Sequence, residues 1–234
     1  MKYIVSDKHK FVYFVVQKVA CTSIKNALLP LIDDDLGKKG SASESGSFGF
    51  DIHKYFDGSE YQINKRQFVK GLDDRYRDFF KFAFVRNPWD RLVSCYLDKL
   101  AKGRPGLHSP LSLAAKVYPG MPFAEFVEIV SQTSDSEANI HFKSQCAVIC
   151  DSDDGKPDGK PIMADFVGRF ESLASDFDTV MERVGVGRVQ RIPHLRKSKA
   201  REARPYPVFY DDRLRNLVYQ RYKDDVDLFG YSFE

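Results

Sequence analysis

The chain has 234 residues, 43% hydrophobic and 14% aromatic, enough to bury a core and too apolar for a disordered chain. Its formal net charge of +3 is small, which argues against a nucleic-acid binder yet leaves room for a local basic pocket. Four cysteines, Cys21, Cys95, Cys146 and Cys150, are too few for a disulfide scaffold of this size, and Cys146 and Cys150 lack zinc-ligand spacing, so buried thiols in a reducing compartment are expected.

The opening "MKYIVSDKHKFVYFVV" lacks a secretory-signal pattern, and no run reaches the roughly 20 apolar residues that cross a bilayer. One soluble, cytoplasmic domain over residues 1–234 is the expectation. Residues 10–16, nearly all apolar and rich in valine and aromatics, read as a strand buried on both faces. From Thr22 the pattern turns helical. Ile24, Ala27, Leu28 and Leu31 share a face, Thr22 or Ser23 can cap the first turn, and Pro30 should kink or end the helix.

Residues 37–49 read as a loop by composition, and residues 81–85, "KFAFV", as a second buried strand. Asn87 is a cap and Pro88 the first helical residue of a segment striped by Leu92, Val93, Tyr96, Leu97 and Leu100. Residues 103–120 form a long surface excursion, and Phe123, Phe126, Val127 and Val130 mark a further helix. Residues 151–161 are turn-rich; their acidic spacing lacks the closing glutamate of a calcium loop, so a solvated turn is expected. A short strand at 164–167 precedes helices marked by Leu173, Phe177, Val180, Met181 and Val184 and by Leu214, Leu217, Val218 and Tyr222. Alternating strands and helices predict an α/β sandwich, a mostly parallel sheet flanked by helices.

Two segments carry the chemistry. In "FVVQKVACTSIKNALL" a strand stops at a polar turn and becomes a helix, which aims backbone N–H groups and the helix dipole at one place suited to an anion. Lys18 enters the turn, and Thr22 and Ser23 add hydroxyl donors. The order is not that of a nucleoside-triphosphate loop, which places glycine and lysine directly before the hydroxyl residue; here Ala20 stands where glycine is expected. Alone, the turn is equally well read as a plain strand-to-helix connection. In "FAFVRNPWDRLVSCYLDK", Arg86 ends a strand and Ser94 follows eight residues, about two helical turns, later. An arginine fork and a hydroxyl so placed can grip one phosphate. Arg91 is read instead as a structural ion-pair partner of Asp90 or Asp98.

Together these segments resemble the paired cofactor motifs of sulfotransferases that use 3′-phosphoadenosine 5′-phosphosulfate, most closely the Golgi carbohydrate sulfotransferases of the chondroitin, dermatan and HNK type. "QKVACTS" is similar to the 5′-phosphosulfate loop and "VRNPWDRLVSCY" to the 3′-phosphate site. "FAEFVEIV", "NIHFKSQCAVIC", "DFVGRFESLASDFDTVMERVGV" and "PHLRKSKAR" follow in that family's order. The resemblance implies a P-loop-like fold and transfer of a sulfuryl group to a carbohydrate hydroxyl, with adenosine 3′,5′-bisphosphate as product, no metal, and no nucleic-acid partner. It implies cofactor contacts from Lys18, Val19, Ala20, Cys21, Thr22, Ser23, Arg86 and Ser94, and from Arg196, Lys197 and Ser198. The chain departs from the family in lacking a membrane anchor and a richer cysteine–histidine cluster, which suggests a soluble, bacterial-type relative.

Lys18 is the cation expected to stabilise the leaving phosphate, and His53 the base that takes the acceptor's proton near neutral pH. His53 and His141 are the expected substrate contacts, and Glu44 is the alternative base. Gly168 in "GRFESL" permits close backbone approach, Glu171 pairs or caps, and Trp89 either stacks near the adenine or packs under its helix. The rival readings are an ATP-dependent kinase of the P-loop type and a non-catalytic glycan-binding relative.

Overall fold

The computed structural model describes residues 1–33, 50–101, 117–151, 161–187 and 205–234. Its elements run β1 (Lys2–Ser6), β2 (Phe11–Phe14), α1 (Cys21–Ile32), α2 (Ile52–Phe56), β3 (Gln62–Asn64), α3 (Lys65–Lys70), β4 (Phe80–Val85) and α4 (Pro88–Lys99). After these come α5 (Phe123–Gln132), α6 (Gln145–Ile149), β5 (Phe166–Arg169), α7 (Leu173–Arg183), a 3-10 turn (Tyr206–Phe209), α8 (Asp212–Arg221) and α9 (Lys223–Phe229). The described residues fall into two compact units: a sheet unit of residues 1–16, 20–85 and 163–187, and a helical unit of 17–19, 86–162 and the C-terminal part.

The sheet unit holds five strands in the order β3-β1-β2-β4-β5. β2, β4 and β5 pair in parallel, while β1 extends the sheet antiparallel to both β2 and β3. The register aligns Ile63, Tyr3, Phe14, Ala83 and Val167 across all five strands. β2 is buried along its whole length, as "FVYF" requires, and β4 from its second residue. The rings of Tyr3, Phe14 and Phe68 meet at centroid distances of 4.5 to 5.4 Å, so aromatic packing seats α3 on the sheet. The expected α/β class and sheet are present, and the parallel crossover sets the carboxyl ends of β2 and β4 side by side, where open α/β sheets bind ligands.

β5 begins two residues later than the sequence suggests. Its Gly168 lies opposite Phe84, and a Cβ there would come 2.5 Å from the Phe84 ring, so only glycine permits this approach of strand to ring. Pro30 sits inside α1, which nonetheless runs two residues further, to Ile32.

The helical unit is built around α4, α5 and α8. Trp89, Leu92, Cys95, Phe126, Val127, Phe142, Leu214, Val218 and Tyr222 form its core. Asn87 caps α4 by accepting the Trp89 N–H, with Pro88 at the first helical position as expected. The five-residue α6 is capped from far away, since the Asp225 carboxylate accepts the N–H groups of Gln145 and Cys146 at 2.8 Å each. All four cysteines are buried and none forms a disulfide. No helix among the described residues is long and apolar enough to cross a membrane.

Candidate active site

In the sheet unit the site begins at the N-terminus of α1. The preceding turn has no glycine, yet Lys18 and Ala20 both adopt left-handed backbone angles, φ 68° and 62°. Such angles cost of order 1 kcal/mol or more for a residue with a Cβ, so the fold imposes them. Ala20, not Thr22 or Ser23, is the N-cap, and no side chain caps the helix. The expected hydroxyl cap is therefore corrected. With Ala20 in the left-handed region, α1 starts at Cys21, and Thr22 and Ser23 lie inside the first turn rather than before it. No acidic residue occupies that turn, so α1 itself sets no negative charge against the positive end of its dipole.

Thr22 meets the predicted base. His53 Nε2 lies 3.0 Å from Thr22 Oγ1. The ring is carried by α2, whose N-cap Asp51 accepts the His53 N–H at 2.9 Å. On the far side, His53 Nδ1 is 3.3 Å from Lys25 Nζ. Lys25 is 4% exposed and sits over the Phe56 ring, 5.5 Å from its centroid. Burial lowers its pKa, with Lys2 adding to the effect and Cys21, Asp57 and Asp51 opposing it. Sequence reasoning missed Lys25. Its place one helical turn after Thr22 was a usable signal, because residues at that spacing share a helix face.

The helical unit carries the other predicted groups. Lys18 Nζ is bound to Asp98 at 2.9 Å, and Lys99 approaches the same carboxylate at 3.2 Å. Burial alone would raise the Asp98 pKa, but the charges and hydrogen bonds of Lys18 and Lys99 prevail and hold it down at about 2. Arg86 is 2% exposed. Its Nε donates to Asp90 and its Nη1 to the Lys18 carbonyl, both at 2.9 Å. Gln145 bonds the Arg86 N–H and C=O, also at 2.9 Å each.

Arg91 is buried as well, but it pairs with neither Asp90 nor Asp98. Its Nε donates to the Gln17 carbonyl at 3.0 Å and its Nη2 to the Lys143 carbonyl at 2.7 Å. Arg86 holds Asp90 and Lys18 holds Asp98, so the ion pair expected of Arg91 belongs to these two residues instead. Ser94 is half-buried on α4. Trp89 packs: its Nε1 donates to the Arg215 carbonyl at 3.0 Å, and its ring meets Phe233 edge-on at 5.6 Å.

His141 Nδ1 is 2.7 Å from Asn139 Oδ1, an atom that only accepts, so Nδ1 carries the proton and Nε2 the lone pair. Burial, then the positive charges of Lys99 and Lys18, push its pKa down to about 3. Acid should therefore destabilise the protein. Below the ordinary histidine value of 6.5 the unfolded chain takes up a proton that folded His141 refuses until about 3. Below 3.8 the unfolded chain protonates at Asp98, which the folded state resists until about 2. Both shifts make the unfolded state bind more protons, so stability present at neutral pH is lost as pH falls from 6.5. Urea midpoints at a series of pH values are expected to decline through this window, and His141→Gln to flatten the decline above 3.8. A wild-type midpoint constant down to about pH 4 would contradict the assignment.

Arg196, Lys197, Ser198 and Glu44, the loop expected at 37–49, and residues 103–116 of the excursion expected at 103–120 lie outside the described residues. Among the described residues no group of three or more His, Cys, Asp or Glu side chains could hold a metal ion.

The chain is similar to carbohydrate sulfotransferase 11 of Danio rerio, 26% identical over 98% of this chain and 66% of the relative. It is also similar to carbohydrate sulfotransferase 9 of Homo sapiens, 26% identical over 97% of this chain and 52% of the relative. Carbohydrate sulfotransferase 14 of Danio rerio is 25% identical over 97% and 61%. The chain thus spans between half and two thirds of the length of these curated relatives. No solved structure matches. The sequence model of the sulfotransferase family matches residues 1–232, so neither the glycine-free turn nor the strand-end arginine stands outside it, and the chain belongs to the sulfotransferase family.

Proposed function

We propose that this protein is a sulfotransferase that moves a sulfuryl group from 3′-phosphoadenosine 5′-phosphosulfate to a carbohydrate hydroxyl. We take residues 1–234 as one sulfotransferase domain, since the family match runs through both units. The observation that carries the reading is the 3.0 Å contact between His53 Nε2 and Thr22 Oγ1. It sets an imidazole nitrogen against the first turn of the helix expected to hold the phosphosulfate. The carbohydrate acceptor is supported by the names of the relatives.

The residues present fit an anionic donor: an uncapped helix start, two forced left-handed residues before it, and no acidic side chain in the first turn. Lys18 to Ser23 would hold the 5′-phosphosulfate, and Arg86 and Ser94 the 3′-phosphate. Arg196, Lys197 and Ser198 are assigned to the donor from the family motif. When bound, the donor supplies the sulfuryl group and a phosphate leaving group. Lys18 offsets the charge that develops on that phosphate. His53 Nε2 takes the acceptor's proton. His141, with a bare Nε2 at neutral pH, is assigned to acceptor contact.

Calorimetric titration with adenosine 3′,5′-bisphosphate, beside 5′-AMP and ATP, tests the donor class. Clear preference for the bisphosphate, weakened about tenfold or more by Ser94→Ala, is expected for a charge-assisted phosphate contact. ATP binding as tight as the bisphosphate would overturn the reading in favour of a kinase.

A further inference from the structure

Lys25, His53 and Thr22 form a row in the sheet unit. Lys25 Nζ stands 3.3 Å from Nδ1, and Thr22 Oγ1 3.0 Å from Nε2, so among the described residues each ring nitrogen faces a group that can exchange a hydrogen bond with it. A neutral imidazole has one N–H and one lone pair, and which nitrogen carries which is set by these neighbours. An ammonium at Lys25 can only donate. It claims the Nδ1 lone pair, forces the ring proton onto Nε2 and leaves no base facing Thr22. A neutral amine at Lys25 accepts from Nδ1–H and frees the Nε2 lone pair.

We propose that Lys25 is a positioning residue for proton transfer at His53, its amine deciding which imidazole nitrogen carries the proton. This rests on the reading of His53 as the base of sulfuryl transfer. The step balances as follows. The acceptor oxygen forms its bond to sulfur as the bond from sulfur to the donor phosphate breaks, its electron pair leaving on the phosphate. The hydroxyl proton goes to Nε2, and the Nδ1 proton passes to Lys25 Nζ, which ends as an ammonium.

The surroundings disfavour the ammonium relative to that of an exposed lysine. No carboxylate among the described residues pairs with Lys25. Asp57, beyond the end of α2, is bound by Lys2 of β1, and Asp51 by the backbone N–H of His53. Among the described residues Cys21, on α1 itself, is a further titratable neighbour, and Phe56 offers its ring face. A 4% exposed ammonium so placed is poorly compensated, in line with its lowered pKa.

The test is nitrogen-15 NMR of the labelled histidine rings, with the His53 signals assigned by their loss in His53→Gln, over pH about 5 to about 11. In the wild type the neutral ring is expected to change from the Nε2–H to the Nδ1–H form as pH rises. Lys25→Arg should hold it in the Nε2–H form throughout, and Lys25→Met should abolish the change. In steady-state transfer assays Lys25→Arg should lower kcat about 10²-fold, with KM for the donor within about twofold and the rising alkaline limb lost. A wild-type ring that keeps one form across the range, which needs no variant to read, overturns the proposal. So do Lys25 variants whose His53 signals and pH–rate profile match the wild type. Failure of the underlying reading looks different: the ring form changes with pH, but His53→Gln leaves transfer intact.

Discussion

His53→Gln is expected to lower the turnover of sulfuryl transfer by about 10²- to 10⁴-fold, the range for losing a general base. Glutamine can still reach Thr22 with its amide, so the turn should keep its shape, but it cannot take a proton. The loss should therefore fall on kcat, with KM for the donor within about twofold. His141→Gln is the matched control. Its ring is neutral and offers a lone pair at Nε2, but Asn139, not the turn before α1, fixes it. It should change KM for the acceptor more than kcat. Transfer of radiolabelled sulfur from the donor measures both variants. If His141→Gln costs more turnover than His53→Gln, the base belongs to the helical unit and the assignment made from Thr22 is wrong.

The largest stability loss is expected at Arg86. Its guanidinium is 2% exposed and bonds Asp90 and the Lys18 carbonyl. Arg86→Ala takes the guanidinium away from an Asp90 carboxylate that is 6% exposed. Breaking one side of such a pair costs about 3–5 kcal/mol. Removing both sides, Arg86→Ala with Asp90→Ala, should recover part of that loss, because no uncompensated charge remains. Urea unfolding of the two single variants and the double variant measures the coupling. A single Arg86→Ala within about 1 kcal/mol of the wild type would mean the pair is not formed in solution. Arg86→Lys separates charge from fork. It keeps a cation for Asp90 but cannot also hold the Lys18 carbonyl in the same geometry, so bisphosphate affinity should fall further than stability.

What the sequence reveals here depends on how local each determinant is. β2, β4, α1, α4, α5, α7 and α8 were legible because an unbroken apolar run or a 3.6-residue stripe is written within each one. β1 escaped because its burial comes from pairing with β2 and β3, and five residues carry little periodic signal. α6 is held by Asp225, 79 and 80 residues away, and nothing within its own five residues announces it. α3 does carry a local signal, the reciprocal Asn64–Gln67 capping box. At the site, the pairing of Arg86 with Asp90 follows helical spacing, whereas the carbonyls that Arg91 holds belong to Gln17 and Lys143, distant in the chain. The left-handed Ala20 had no signal at all, since alanine is not a residue that chooses that region.

The two buried arginines explain how a turn proposed to hold a phosphate can do without glycine. Arg91 holds the carbonyl of Gln17, and Arg86 that of Lys18. In a trans peptide the N–H points opposite to the C=O, so anchoring these two oxygens also aims the amide hydrogens of Lys18 and Val19 away from the guanidiniums. A glycine-rich loop reaches its anion-binding shape by being free to adopt it and loses entropy when the ligand orders it. This turn is ordered beforehand by side chains behind it, so its dipoles need little reorganisation when charge arrives. Affinity then becomes sensitive to substitutions that never touch the ligand. A change at Asp90, or at Gln145 beside the Arg86 backbone, would reach a 5′-phosphosulfate held at the turn only through the direction in which an amide points.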